Sequence, residues 1–338
     1  MRLHGIPNAC IEEINNYSLK KVSPMTEPIR KIQTFLGLLN FSQLFPPPET
    51  GTYKYFNDSN RFPFDHNTHS HSAVNAWWMS EYSLLAYSDS QEVDQVLNNH
   101  FEAQNQKHSF FWLNSEGNAL GSNTQGFGVE TDDYVIIAFR GTEFPRPSYV
   151  IQYPKKLLDI IADIRTDIQR LSPKSITENT LTFDTPVHPG FAKALQSVWQ
   201  QLQDRLPSFG TKPIWLTGHS LGGAIATLMA YQVPGRVTAL YTYGSPCVGT
   251  EAFAQSFKDR GLQDKTFRYL HGNDAVAKAL ELTTMGYEHV GQLFPLDAGK
   301  RRGLLAQALN IALGSTVGLN QLDHAPIFYC YESWNAIP

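Results

Sequence analysis

Gly218-His219-Ser220-Leu221-Gly222 has the form G-x-S-x-G, which seats a serine hydroxyl between small residues. Composition alone yields about 0.1 such pentapeptides in a chain of this length, so the bare motif is only moderately specific. Its surroundings say more. It follows an apolar stretch at 213–216 and opens a segment rich in Ala, Leu and Met. A strand, a sharp elbow and a helix are what this motif needs to expose the serine oxygen. Such an elbow crowds the backbone, and Gly218, Gly222, Gly223 and Ala224 leave it room. The chemistry indicated is nucleophilic attack on a carbonyl carbon. The alternative is an ordinary glycine-rich turn from strand to helix.

A serine hydroxyl is a poor nucleophile until an imidazole takes its proton, and that imidazole needs a carboxylate on its other nitrogen. Enzymes built on this elbow run Ser, then Asp or Glu, then His along the chain. Beyond the neighbouring His219, only His271, His289 and His324 follow Ser220. Asp264 precedes a strand expected at 266–270 and so falls at the wrong end of it. Asp274 lies just past the carboxyl end, where ligands bind in such sheets. Asp274 is the expected acid, with a turn aspartate capping a helix near residue 275 as the alternative. His324 is the expected base and His289 the reserve, because a strand opening at His289 leads away from the active edge. His271 precedes Asp274 and breaks the order. Asp323 adjoins His324 but is too near in sequence to orient it.

These residues need a scaffold. Apolar residues at helical spacing predict a helix over 72–87. Strands are expected at 125–129 and 134–139, joined by a tight turn at Thr131-Asp132-Asp133. A helix follows over 191–206, closed by Pro207. Next come a strand at 214–216, a helix at 221–231, and strands at 237–243, 266–270 and 289–294. This alternation predicts an α/β fold, a mostly parallel sheet covered by helices on both faces. Residues 1–65 read as an N-terminal extension packed on a main domain at 66–338.

Composition narrows the field. Of 338 residues, 42% are hydrophobic and 17% charged, the balance of a globular chain with a sizeable core. A formal net charge of -4 excludes the basic field that nucleic acid requires. Cys10, Cys247 and Cys330 lack both CxxC and zinc-ligand spacing, so free thiols in a reducing compartment are expected. His66, His69 and His71 beside Asp65 read as solvated loop histidines more readily than as metal ligands. The first twenty residues lack the apolar core of a secretory signal, and no stretch approaches a membrane span of roughly 18 apolar residues. The expectation is a cytoplasmic location, with no cofactor and no metal.

Further segments complete a pattern. VIIAFRGT at 135–142, VHPGF at 187–191, GHSLGGA at 218–224, YTYGSPCVG at 241–249, NDAV at 273–276 and LDHAPIFY at 322–329 occur in that order. Over roughly residues 70–332 the chain resembles the class 3 lipases, which include fungal triacylglycerol lipases and phospholipase A1-like enzymes. The resemblance implies an α/β-hydrolase fold and a triad of Ser220, Asp274 and His324. It further implies an oxyanion hole from Thr142 and the backbone N–H of Leu221. Two such donors, fixed before the reaction, stabilise the charge that develops on the carbonyl oxygen. A turn residue bonding its own backbone is the alternative for Thr142.

Two segments could meet lipid. Leu157, Ile161, Ile164 and Ile168 share one helical face while Asp159, Asp163 and Asp167 mark another. In this family a lid follows the oxyanion residue; a helix packed permanently on the sheet is equally compatible. Lys300-Arg301-Arg302 precede Leu305, Leu309 and Leu313 on a shared face, which suits a covering helix of the core or a transient membrane contact. The expected function is a serine carboxylic-ester hydrolase releasing fatty acid from acylglycerols or phospholipids through an acyl-enzyme. The alternatives are a catalytically silent lipase-like binding or signalling protein, and a soluble short-chain or feruloyl-type esterase.

Overall fold

The computed structural model of the chain describes residues 54–57, 59–115, 124–142, 169, 171–178, 180–281, 283–296 and 323–338. Two N-capped helices come first among the described residues. The Ser72 side chain accepts the Asn75 N–H and starts α1 (Ala73–Leu85), and Asp89 does the same for Glu92 at α2 (Ser90–Ala103). Strands β1 (His108–Asn114), β2 (Gln125–Thr131) and β3 (Val135–Phe139) then form an antiparallel meander. The turn between β2 and β3 is held by Thr131, whose hydroxyl accepts the N–H groups of Asp133 and Tyr134.

After β3 the sheet becomes parallel. β6 (Ile214–His219), β7 (Val237–Tyr243), β9 (Thr266–His271) and β11 (Gln292–Leu296) add in turn, giving the seven-strand order β1-β2-β3-β6-β7-β9-β11. Helix α3 (Pro189–Arg205) has proline in its first turn, where a missing N–H costs nothing. Helix α4 (Leu221–Gln232) follows β6 directly. The expected α/β-hydrolase architecture is present: five parallel strands with an antiparallel pair at one edge.

Strand alternation divides the interior in two. Val135, Ile137 and Phe139 of β3, with Ile214 and Leu216 of β6, enter one core, shared with α3 and α4. Ile136, Ala138, Trp215 and Tyr241 point the other way into an aromatic core with α1, α2 and Trp78. Helix α4 is apolar nearly all round, as befits a helix buried on every side. Polar ties fasten α1 to the sheet and to the last helix, α6 (Pro326–Asn335): Thr217 Oγ1 donates to the Met79 carbonyl and Cys330 Sγ to that of Ser80.

A second sheet was not expected. β4 (Lys174–Glu178), β5 (Leu181–Val187), β8 (Gly249–Thr250) and β10 (Tyr287–Glu288) pair antiparallel in the order β10-β8-β5-β4. Helix α5 (Glu251–Asp259) follows β8 and packs Phe253 and Phe257 inward. The strand expected at 289–294 is corrected accordingly. Tyr287 and Glu288 pair with β8, and the chain turns at Gly291 (φ 78°) before β11 begins at Gln292.

Much of the expected N-terminal extension lies outside the described residues, as do the amphipathic segments at 145–168 and 300–313, and Cys10. Of residues 54–65, Phe56 stacks on Trp78 at 5.2 Å and Phe64 meets Trp215 edge-on at 4.9 Å. Cys247 and Cys330 are free and buried.

Candidate active site

Ser220 sits in the elbow between β6 and α4 with φ 57° and ψ −127°, a region that costs a non-glycine residue about 1–3 kcal/mol. Its N–H donates to the Tyr243 carbonyl at 2.9 Å, which anchors the turn to the neighbouring strand. Helix α4 then leaves past the end of β3 at very close range. A Cβ on Gly222 would fall 2.0 Å from the carbonyl oxygen of Phe139, so only glycine fits there.

The other two expected residues arrive from separate elements. Asp274 stands three residues beyond β9, and His324 two residues before α6. His324 Nε2 lies 2.9 Å from Ser220 Oγ, and its Nδ1 lies 2.8 Å from Asp274 Oδ2. All three are sealed from solvent, at 1% exposure or less. With Nδ1–H donating a hydrogen bond to the carboxylate, Nε2 offers its lone pair to the serine hydroxyl. That is the arrangement a general base requires.

The two oxygens of Asp274 have different partners. Oδ1 accepts the N–H groups of Val276 and Ala277 at 2.8 and 3.1 Å, as a turn-capping aspartate would. Oδ2 accepts from His324 and, at 2.6 Å, from the hydroxyl of Tyr329. Burial by itself would push this carboxyl up. The charge of His324 and the hydrogen bonds from His324, Tyr329 and Ala277 outweigh it and hold the group below its ordinary value of 3.8.

His219 is not a bystander. Its Nε2 lies 2.7 Å from the backbone carbonyl of His324, which can only accept, so Nε2 carries the proton. Nδ1 then accepts from the Tyr87 hydroxyl at 2.8 Å. Burial, aided by His324, holds this imidazole well below the usual histidine range, so it stays neutral. The residue before Ser220 thus grips the backbone of His324.

His289 lies elsewhere, its Nε2 bonded to Glu281 Oε1 at 2.9 Å and to the Ala277 carbonyl at 3.1 Å. It does not approach Ser220 through these partners, and the reserve assignment is set aside. Gly141 packs against the elbow, since a Cβ there would lie 3.2 Å from Ser220 Cβ. Thr142 follows it, exposed, at the edge of the described residues. Leu221 is the first residue of α4, where the backbone N–H has no acceptor within the helix. His71 Nε2 contacts the Tyr269 hydroxyl at 2.6 Å and its ring stacks on Phe294 at 3.9 Å, so it is a packed residue and not a solvated one. Among the described residues, no group of three or more His, Cys, Asp or Glu side chains could hold a metal.

Tyr87, Tyr329 and the bridging role of His219 escape a linear reading. Tyr87 is 132 residues from its partner, and nothing local marks it. Tyr329 shares the LDHAPIFY segment with His324, a proximity that could have drawn attention to it.

A serine, an imidazole and a carboxylate in one hydrogen-bonded row on the edge of an α/β-hydrolase sheet define the class of site. Residues 136–283 match the family Lipase (class 3). It is 32% identical over 157 residues to a secreted mono- and diacylglycerol lipase 1 of Fusarium solani, covering 42% of this chain and 46% of that protein. It is 36% identical over 114 residues to phospholipase A1-Igamma1, chloroplastic, of Arabidopsis thaliana, covering 26% and 22%. The solved mono- and diacylglycerol lipase of Aspergillus oryzae is 21% identical with a TM-score of 0.48, over 67% of this chain and 80% of that one. The chain spans less than half the length of these two curated relatives. The cytoplasmic expectation is corrected here. The Fusarium relative and two from Penicillium are named as secreted lipases, which points outside the cell.

Proposed function

We propose that this protein is a serine carboxylic-ester hydrolase that releases fatty acid from acylglycerols or phospholipids through an acyl-enzyme. His324 Nε2 takes the proton from Ser220 Oγ as the oxygen attacks the ester carbonyl. Asp274 keeps the imidazole in the Nδ1–H form and stabilises the cation that develops. Thr142 and the Leu221 N–H receive the oxyanion. The tetrahedral centre collapses, His324 hands its proton to the leaving alcohol, and the acyl group stays on Ser220. Water, deprotonated by the same imidazole, then frees the acid. No step calls for a cofactor.

The observation that carries this reading is the unbroken row from Ser220 Oγ through His324 to Asp274, at 2.9 and 2.8 Å. The match of residues 136–283 to the class 3 lipases and the names of the relatives support an acylglycerol or phospholipid ester over a peptide or a phosphate. Purified protein is expected to hydrolyse p-nitrophenyl acyl esters and to be labelled by a fluorophosphonate at Ser220. Ser220→Ala is expected to lower the rate by about 10⁴-fold or more. A wild-type protein that neither turns over these esters nor takes the label would leave the silent binding-protein reading. Comparing dispersed acylglycerols with phospholipid vesicles separates the two substrate classes.

A further inference from the structure

Strand β9 ends at His271, and the chain turns through Gly272 and Asn273 to reach Asp274. Asp323, the residue before His324, reaches into that turn. Its Oδ2 accepts the Asn273 N–H at 2.6 Å. Its carboxylate lies against Gly272, where a Cβ would come within 2.6 Å of Oδ2. Its backbone carbonyl accepts the Nδ1–H of His271 at 3.1 Å, and its Oδ1 stands 3.7 Å from the same nitrogen. The His271 ring in turn stacks on Phe328 of α6, with ring centres 5.7 Å apart. Asp323 is 4% exposed and His271 6%.

The residue preceding the base therefore holds the residue preceding the acid, across 50 positions of sequence. Burying a carboxylate is no efficient route to stability, because its desolvation offsets most of what its partners return. What it does supply is register. The span between His324 and Asp274 is bounded by one residue on each side of this contact, so a slip of the brace passes directly into the 2.8 Å bond between them. From this geometry we infer that Asp323 is a positioning residue. It sets the separation of acid and base for the hydrolytic reaction proposed above, and the inference rests on that reading of the site.

The test compares wild type, Asp323→Ala and Asp323→Asn as full chains, using a soluble p-nitrophenyl ester and a fluorophosphonate. It measures kcat, KM, the labelling rate per folded molecule, and the far-downfield proton resonance of the His324–Asp274 hydrogen bond. In Asp323→Ala, kcat and the labelling rate are expected to fall about 10- to 100-fold with KM nearly unchanged, and the downfield resonance to move. Asn keeps an oxygen for the Asn273 N–H and is expected to restore most of the rate. Should the alanine variant not fold, Asp323→Glu carries the test. It keeps the charge but is one methylene too long, and it is expected to lower kcat by the same order. An alanine or glutamate variant that reacts at the wild-type rate per folded molecule overturns the brace and leaves the hydrolase reading intact. A wild type that is itself unreactive overturns both.

Discussion

Ser220 and Asp274 are about equally hidden, at 1% and 0% exposure, yet they are held by opposite means. Ser220 is fixed by lack of space. Its backbone is forced into a left-handed conformation, and the helix it opens presses Gly222 onto the Phe139 carbonyl. Asp274 is fixed by saturation, with two backbone N–H groups on one oxygen and an imidazole and a phenol on the other. Strain suits an atom that must project and react. A full set of donors suits an atom that must stay charged and still. The two ends of the row should therefore fail differently: volume breaks the first, and loss of a donor breaks the second.

The largest effect is expected at the crowded end. Gly222→Ala adds a single methyl group 2.0 Å from a backbone oxygen, and no side chain is free to yield. Overpacking of this kind costs about 1–3 kcal/mol where the surroundings can relax, and more where backbone must move. Thermal unfolding should show a lowered midpoint, and fluorophosphonate labelling of the protein that remains folded should be almost abolished. An alanine variant labelled at the wild-type rate would show that the elbow is not held by contact.

A milder loss is expected at the saturated end. Tyr329→Phe keeps the ring but removes the hydroxyl that donates to Asp274 Oδ2 and accepts from the His271 N–H. A hydrogen bond to a charged group contributes about 1.5–3 kcal/mol, so kcat should fall on the order of tenfold with KM little changed. A phenylalanine variant with unchanged kcat would mean that the other three donors suffice.

The same contrast explains what a linear reading could reach. The elbow is a local device: β6, Ser220 and α4 are contiguous, and their pattern of apolar residues and glycines is written in one stretch. Asp274 and His324 were reachable because their places follow from chain order and from the carboxyl end of β9. The donors around Asp274 were not. They come from a helix that begins two residues after His324 and from turn N–H groups whose direction no residue type announces. The small sheet was missed because β8 and β10 contribute two residues each, too few to show alternation. Strand β1 was missed because Phe110, Phe111 and Trp112 run together without a polar break.

The smallest effect, and the finest probe of saturation, is acid stability. In the folded protein the Asp274 carboxyl is held below 3.8, while in the unfolded chain it titrates near that ordinary value. As pH falls through this range the unfolded state binds a proton that the folded state still refuses, so acidification favours unfolding. The stabilisation from Asp274 is thus complete above about pH 4 and is lost as the pH drops through the folded value. Asp274→Asn has no such proton to take up. Thermal midpoints recorded from about pH 6 down to about pH 3 should fall less steeply for the variant than for wild type. Glu281 is also held low, chiefly by its hydrogen bond from His289, so part of the acid loss is common to both proteins and only the difference in slope reports on Asp274. Parallel curves for the two proteins would mean that the donors around Asp274 orient it without stabilising its charge.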